Sequence, residues 1–333
     1  MGVRGAWKLL QEQGIIGSTV GRPVDALGWR DTQKKIHVDM VGAFYDQLCS
    51  FFVHCDRDDQ EAKIKAANKL MVYIGKVVPK HRLVLYLDGS KPSLERDFAH
   101  TKRLTFQLDR QERLEQELSM LKPGSYSDRI SQWEHAARDL FRFTDDMKEV
   151  VYQAAMSKGW TIIVSPSEAE VEIGKLPGGI VFSNDSDMLF YPNVSKVIRR
   201  MDRHQFCVYD KSAILTRLQL SNNAFTALGI IAPNDYESHI YGTHSAILSI
   251  YRVVERIQRG QNLSVNDILQ EYLSECSARL GRDLPADYYA KSYRVFVLQE
   301  EHLLPPSYDI RSGYLNTAAH YLKKISNIQG YTR

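Results

Sequence analysis

The sequence is poor in the residues that staple a chain or anchor it. Its four cysteines, Cys49, Cys55, Cys207 and Cys276, show neither a CxxC pair nor histidine at zinc-ligand spacing. That argues against a disulfide framework or a structural zinc site, and for a reducing compartment. No apolar run approaches the ~20 residues a membrane span requires, and the opening MGVRGAWKLLQEQG lacks the long apolar stretch of a secretory signal, so neither a membrane nor a secreted location is expected. Gly2 invites a myristoylation reading, but Ala6 stands where that motif takes Ser or Thr. Charge of neither sign dominates. The 43 basic and 40 acidic residues leave a net +3, which permits nucleic-acid binding without arguing for it. No internal repeat or low-complexity segment stands out.

What is present is enough apolar material, 44% of 333 residues, for one large core or one core with a helical appendage. Leu83 to Leu87 is an apolar run stopped by Asp88-Gly89, a strand and a turn, and Ile36 to Asp39 reads the same way. Val41, Phe44, Tyr45, Leu48, Phe51 and Phe52 recur at helical spacing, and Ala62 to Ile74 continues as a second helix. Pro92 to Leu121 is strongly charged and loosely amphipathic, a projecting helical insertion closed by Pro123-Gly124. From Trp133 to Ala154 apolar residues trace one helical face, with Gly159 as its cap. Strands follow at Thr161 to Val164 and Ile180 to Phe182, around a helix capped by Ser167. Helices at Ala224 to Ile231 and Ser245 to Ile257, then a mainly helical tail, complete the chain. The rhythm is that of an α/β protein whose mostly parallel sheet is covered by helices.

Seven acidic residues sit where apolar runs end or helices begin: Asp39, Asp88, Glu168, Glu170, Asp185, Asp187 and Asp235. Each has an ordinary reading alone. Asp39 could cap a helix, Asp88 could belong to an Asp-Gly turn, Asp235 to another turn, and Ser167 with Glu170 makes a capping box. Together they point elsewhere, because the carboxyl ends of parallel strands share one crevice. Carboxylates without histidine or thiolate at comparable positions are hard ligands suited to Mg²⁺ or Mn²⁺. Two such ions about 3.5 to 4 Å apart can drive in-line displacement at a phosphodiester.

The residues carry a resemblance. MGVRGAWKLL, VD followed by Tyr45, LYLDG, PSEAE, the DSD pair and NDY occur in the order and approximate spacing of the flap endonuclease superfamily, XPG-type structure-specific 5′ nucleases with a PIN-like core. It covers Met1 to about Val254. It implies that all seven acids form a two-metal Mg²⁺ site, with Mn²⁺ able to substitute. It implies too that Gly2 lets the N-terminal segment lie close to that site, and that Tyr45 stacks on a base, although a core role for Tyr45 is the alternative from the residues alone. The charged insertion corresponds to a helical gateway and arch. Allowing one inserted residue there places Arg96 and Arg103 at phosphate-steering positions, with Lys102 as a further nucleic-acid contact.

After Asp235 the resemblance implies a helix-two-turn-helix that grips duplex DNA through a glycine-rich turn and a K⁺ ion. Gly242 is kept, while His244 stands where a second glycine is expected, as a phosphate contact or a surface residue without a role. The expected division is a 1–260 core, carrying an insertion at about 90–125 and the helix-two-turn-helix-like segment at about 222–257, and a helical extension at 261–333. The resemblance gives a monomer that binds nucleic acid, DNA in preference to RNA, without a sliding-clamp motif. A nuclear address follows by analogy, with a cytoplasmic one as the alternative. Three functions stay open: a 5′ nuclease acting on DNA near junctions, an RNA-directed nuclease of the same fold, and a non-cleaving scaffold.

Overall fold

Five consecutive buried residues, Leu83–Leu87, form a strand with no solvent face, which is the mark of a parallel sheet covered on both sides. The computed structural model describes residues 2–27, 34–56, 58–91, 93–120, 129–202, 205–237, 240, 243–244, 246–303 and 317–330. Its strands are β1 (Ser18–Val20), β2 (Ile36–Asp39), β3 (Leu83–Leu87), β4 (Ile162–Val164), β5 (Gly179–Phe182), β6 (Val194–Arg200) and β7 (Phe206–Asp210). They make one sheet in the order β1-β7-β6-β5-β2-β3-β4. The central pairs β2/β3, β2/β5 and β5/β6 are parallel, while β7 is antiparallel to both β6 and β1. Val38 pairs with Leu85 on one side and Phe182 on the other. The carboxyl ends of β2, β3 and β5 therefore share one edge.

The chain forms two compact units, Met1–Ala43, Val78–Phe98 and Ile163–Leu304 in the first, Phe44–Val77, Ala99–Ile162 and Pro305–Arg333 in the second. The first unit holds the mostly parallel α/β sheet and its covering helices. Ser221 accepts a hydrogen bond from the Ala224 N–H at the start of the helix Asn222–Ile231, which is buried from Ala224 onward. Val265–Leu280 opens with a Ser264/Asp267 capping box, ends at Gly281 with φ 64°, and packs against both Asn222–Ile231 and Ile247–Gln258.

The second unit is helical. Gln60–Val77 packs on Asp145–Ser157, with the buried Lys63 paired to Asp146 at 2.5 Å, and Ile130–Arg138 packs on Ala318–Gly330. The single helical face expected from Trp133 to Ala154 is two helices, Ile130–Arg138 and Asp145–Ser157, with a break between them that the periodicity does not mark. No helix among the described residues is long and apolar enough to cross a membrane.

Gly229 tests how tightly the first core is packed. A Cβ there would lie 2.4 Å from Phe190 Cγ, and Phe190 cannot yield because it is fully buried and stacked on Phe225 with centroids 4.6 Å apart. Alanine would add roughly 1 kcal/mol of helix propensity, but overpacking costs about 1–3 kcal/mol and wins. Gly229→Ala is expected to lower the melting temperature by about 2–6 °C. An unchanged or raised midpoint in a thermal melt would contradict this packing.

Candidate active site

Asp39 ends β2, and two donors hold its buried carboxylate: the Gly42 N–H on Oδ1 and the Ser183 hydroxyl on Oδ2, each at 2.9 Å. A side chain at position 42 would collide with both groups, its Cβ 2.1 Å from Asp39 Oδ2, so glycine lets the helix start fold over the acid. Asp88 follows β3 directly, and its Oδ1 accepts the Ala169 N–H at 2.8 Å. The Gly89 N–H reaches the Ser167 carbonyl at 2.6 Å, drawing the turn after β3 against the segment that carries Glu168 and Glu170.

Glu168 is the N-cap residue of the short helix Ala169–Gly174, and Glu170 lies in its first turn. The expected Ser167/Glu170 capping box does not form. Ser167 Oγ is buried without a hydrogen-bond partner of normal geometry, and Glu170 turns to Arg96 and to the Tyr236 hydroxyl, which donates to its Oε1. Ion pairing outcompetes the cap.

Asp185 and Asp187 follow β5. Asp187 opens a 3₁₀ turn, Asp187–Leu189, anchored by buried Met188 and Leu189. The Asp187 N–H donates to Asp185 Oδ1 at 3.3 Å, and neither Asp187 carboxylate oxygen has a hydrogen-bond partner of normal geometry among the described residues. Gly2 lies against this pair at φ 95°, where a Cβ would come within 1.9 Å of Asp185 Oδ1.

Two overlapping groups result. One oxygen from each of Glu170, Asp185 and Asp187 lies within 4.8 Å of the others, all three buried. Arg96, itself buried, pairs through Nη1 with Glu168 at 2.5 Å and through Nη2 with Glu170 at 2.6 Å and Asp235 at 3.5 Å. Glu170 belongs to both groups. Burial and crowding disfavour the charged form of these acids: burial, then the charges of Asp88 and Asp185, push Asp39 up to about 7 despite its two donors. Burial likewise raises Asp185 and drives Glu170 and Asp187 well above the carboxylate range, with Asp185 and Asp235 adding to the effect on Asp187.

Orphaned, buried carboxylate oxygens of hard character fit a hard divalent cation. Glu170, Asp185 and Asp187 would hold such an ion, with Asp39, Asp88, Glu168 and Asp235 as the surrounding acids.

Tyr45, in the second unit, is not a core residue: it is 41% exposed, and its hydroxyl donates to the Phe141 carbonyl at 3.4 Å. Lys102 and Arg103 lie on the helix Asp97–Ser119, with Lys102 Nζ 5.9 Å from the Phe106 ring centroid. His244 Nε2 is 3.4 Å from Arg279 Nη1, and Gly242, with the K⁺ expected near it, lies outside the described residues.

Three further residues complete the crevice. Ser183 and Tyr236 stand inside motifs already noted, VFSNDSD and NDY, where a polar residue beside an acid is the available signal. Glu301 has none. Its Oε2 accepts the Glu168 N–H at 3.3 Å, and burial and Glu168 push it up to about 7.

Compared by sequence, neither a protein-family model nor a curated protein matches the chain. In three dimensions it has the PIN-like α/β fold of the flap endonuclease and XPG-type nucleases. The catalytic core of Rad2 in complex with DNA substrate superposes with a TM-score of 0.53 at 16% identity, covering 98% of this chain and 99% of that chain. Flap endonuclease-1 from Methanococcus jannaschii gives 0.52 at 15%, covering 100% of both chains. Human GEN1 in complex with Holliday junction DNA gives 0.51 at 15%, covering 98% of this chain and 77% of that chain. At these identities the likeness is one of fold.

The raised acids make metal-free stability depend on pH. Their folded pKa values exceed the unfolded ones, so the native state binds more protons, and stability falls as pH rises from about 4 through about 7. In chelator the midpoint at about pH 7.5 is expected to lie on the order of 5 °C below that at about pH 5.5, and Asp39→Asn should shrink the gap. A midpoint that rises with pH over this range would contradict the acid assignment.

Proposed function

We propose that the chain is a divalent-metal-dependent 5′ nuclease that cleaves DNA bearing a single-stranded 5′ end or flap near a duplex. One observation carries the reading: Glu170, Asp185 and Asp187 converge in a buried crevice in which Asp187 has no hydrogen-bond partner of normal geometry among the described residues. A non-cleaving scaffold would gain nothing from such a group, since buried acids that repel one another are destabilising.

Glu170, Asp185 and Asp187 would hold the metal, with Asp39, Asp88, Glu168 and Asp235 around them. Bound there, a pair of hard cations would supply charge neutralisation at the phosphodiester and a water acidic enough to attack it. The protein's own part is positional. Tyr236 orients Glu170 through its hydroxyl, Ser183 and Gly42 fix the rotamer of Asp39, and Asp88 ties the start of the Ala169–Gly174 helix to the turn after β3. Gly2 keeps the N-terminal segment from displacing Asp185.

End-labelled flap, nicked, single-stranded and RNA substrates, incubated with Mg²⁺ or with chelator, test this. Cleavage of flap DNA is expected with Mg²⁺ alone, and Asp185→Ala should reduce it by at least about 100-fold. Gly2→Ala should also lose activity while melting as a folded protein. Cleavage that survives both chelator and Asp185→Ala would sink the metal mechanism, and cleavage of RNA alone would move the substrate class.

A further inference from the structure

Arg96 is held more firmly than a residue that only awaits substrate. Its backbone closes the 3₁₀ turn Leu94–Arg96, and that turn is fastened to the segment 294–303 far along the chain. The Leu94 N–H reaches the His302 carbonyl at 2.9 Å, and Ser93 bridges Leu303. Glu95, the acid beside Arg96 in sequence, faces away into its own set of partners: Arg294 Nε at 3.2 Å, His302 Nδ1 at 2.9 Å, the His302 N–H and the Ser93 hydroxyl each at 3.0 Å. Glu95 is thus spent elsewhere and does not neutralise its neighbour.

The Arg96 guanidinium is thereby delivered into the crevice. It meets Glu168, Glu170 and Asp235 there and lies 5.1 Å from the Tyr236 ring centroid. Three of the seven acids are paired with it, and one of them, Glu170, is also a member of the group suited to a metal. A carboxylate that gives its oxygen to a guanidinium at 2.6 Å cannot give the same lone pair to a metal ion.

We propose that Arg96 is an internal counter-cation of the metal-free protein, competing with divalent metal for Glu170, Glu168 and Asp235 and released from them as metal loads. The inference rests on the reading of the crevice as a divalent-metal site. The turn stays fastened through Glu95, so the exchange needs only the side chain of Arg96 to swing, which frees a guanidinium for an anionic phosphate oxygen when the metal arrives. Site loading and phosphate capture are coupled through one side chain.

Mn²⁺ binding to the full chain without nucleic acid, followed by the loss of the free-ion paramagnetic resonance signal, tests the competition. Arg96→Gln removes the competitor and is expected to tighten Mn²⁺ binding about tenfold, within the range of coupling between ligands that share groups. In chelator the same variant should melt below wild type, and it should gain more from added Mn²⁺. Arg96→Lys is the second variant should Arg96→Gln fail to fold: a single ammonium is less able to span Glu168 and Glu170 together, so binding should tighten by a smaller factor. Equal or weaker Mn²⁺ binding by the folded variants, with wild type binding Mn²⁺, overturns the exchange and leaves the metal site standing. Failure of every form to bind Mn²⁺ overturns both.

Discussion

Repulsion among buried carboxylates is the constraint to which the first unit is built. At an effective dielectric of 20, two unit charges 4 Å apart cost about 4 kcal/mol, while a whole domain is stable by only about 5–15 kcal/mol. Two or three uncompensated pairs among Asp39, Glu170, Asp185 and Asp187 would therefore consume the stability of the fold. Compensation in the structure comes from the Arg96 guanidinium, and burial with mutual repulsion raises the pKa of the acids that it does not reach. In the proposed function a bound divalent cation would add further compensation and supply the chemistry.

The parallel sheet gathers these charges because it serves two ends at once. Continuous apolar strands, Leu83–Leu87 and Gly179–Phe182, bury their backbone in the core and can carry polar groups only where they stop. Since β2, β3 and β5 stop on the same edge, the acids that follow them come together without any long loop to hold them. Small residues then bring backbone close to the charges: Gly2 against Asp185, Gly42 against Asp39, Gly89 against the Ser165 carbonyl. Packing in the core and charge at its rim are parts of one arrangement.

The sheet's centre was legible in the sequence, and so were the acids, because an apolar run ended by an acid or an Asp-Gly turn is a local signal. The sheet's other half was not. Ser18–Val20 is three mostly exposed residues, and Val194–Arg200 mixes buried valines with lysine and arginine beside a register shift at Gly179/Ile180, so neither shows a clean alternation. Ser167 looked like a cap, but the Glu170 it needed is drawn to Arg96 and Tyr236, a choice made by residues far from it in sequence. Arg96 shows the same limit from the other side. Its neighbours Glu95 and Asp97 argue locally against a working cation, and only the fold reveals that Glu95 is occupied by Arg294 and His302, some two hundred residues later.

Metal binding by this acidic crevice is what the proposed function depends on. Anomalous diffraction from crystals of the full chain soaked in Mn²⁺ addresses it directly. A peak ligated by Glu170, Asp185 and Asp187 is expected, with the Arg96 guanidinium withdrawn from Glu170. Crystals that show no peak there, with Arg96 still paired to Glu170 at saturating Mn²⁺, would contradict it.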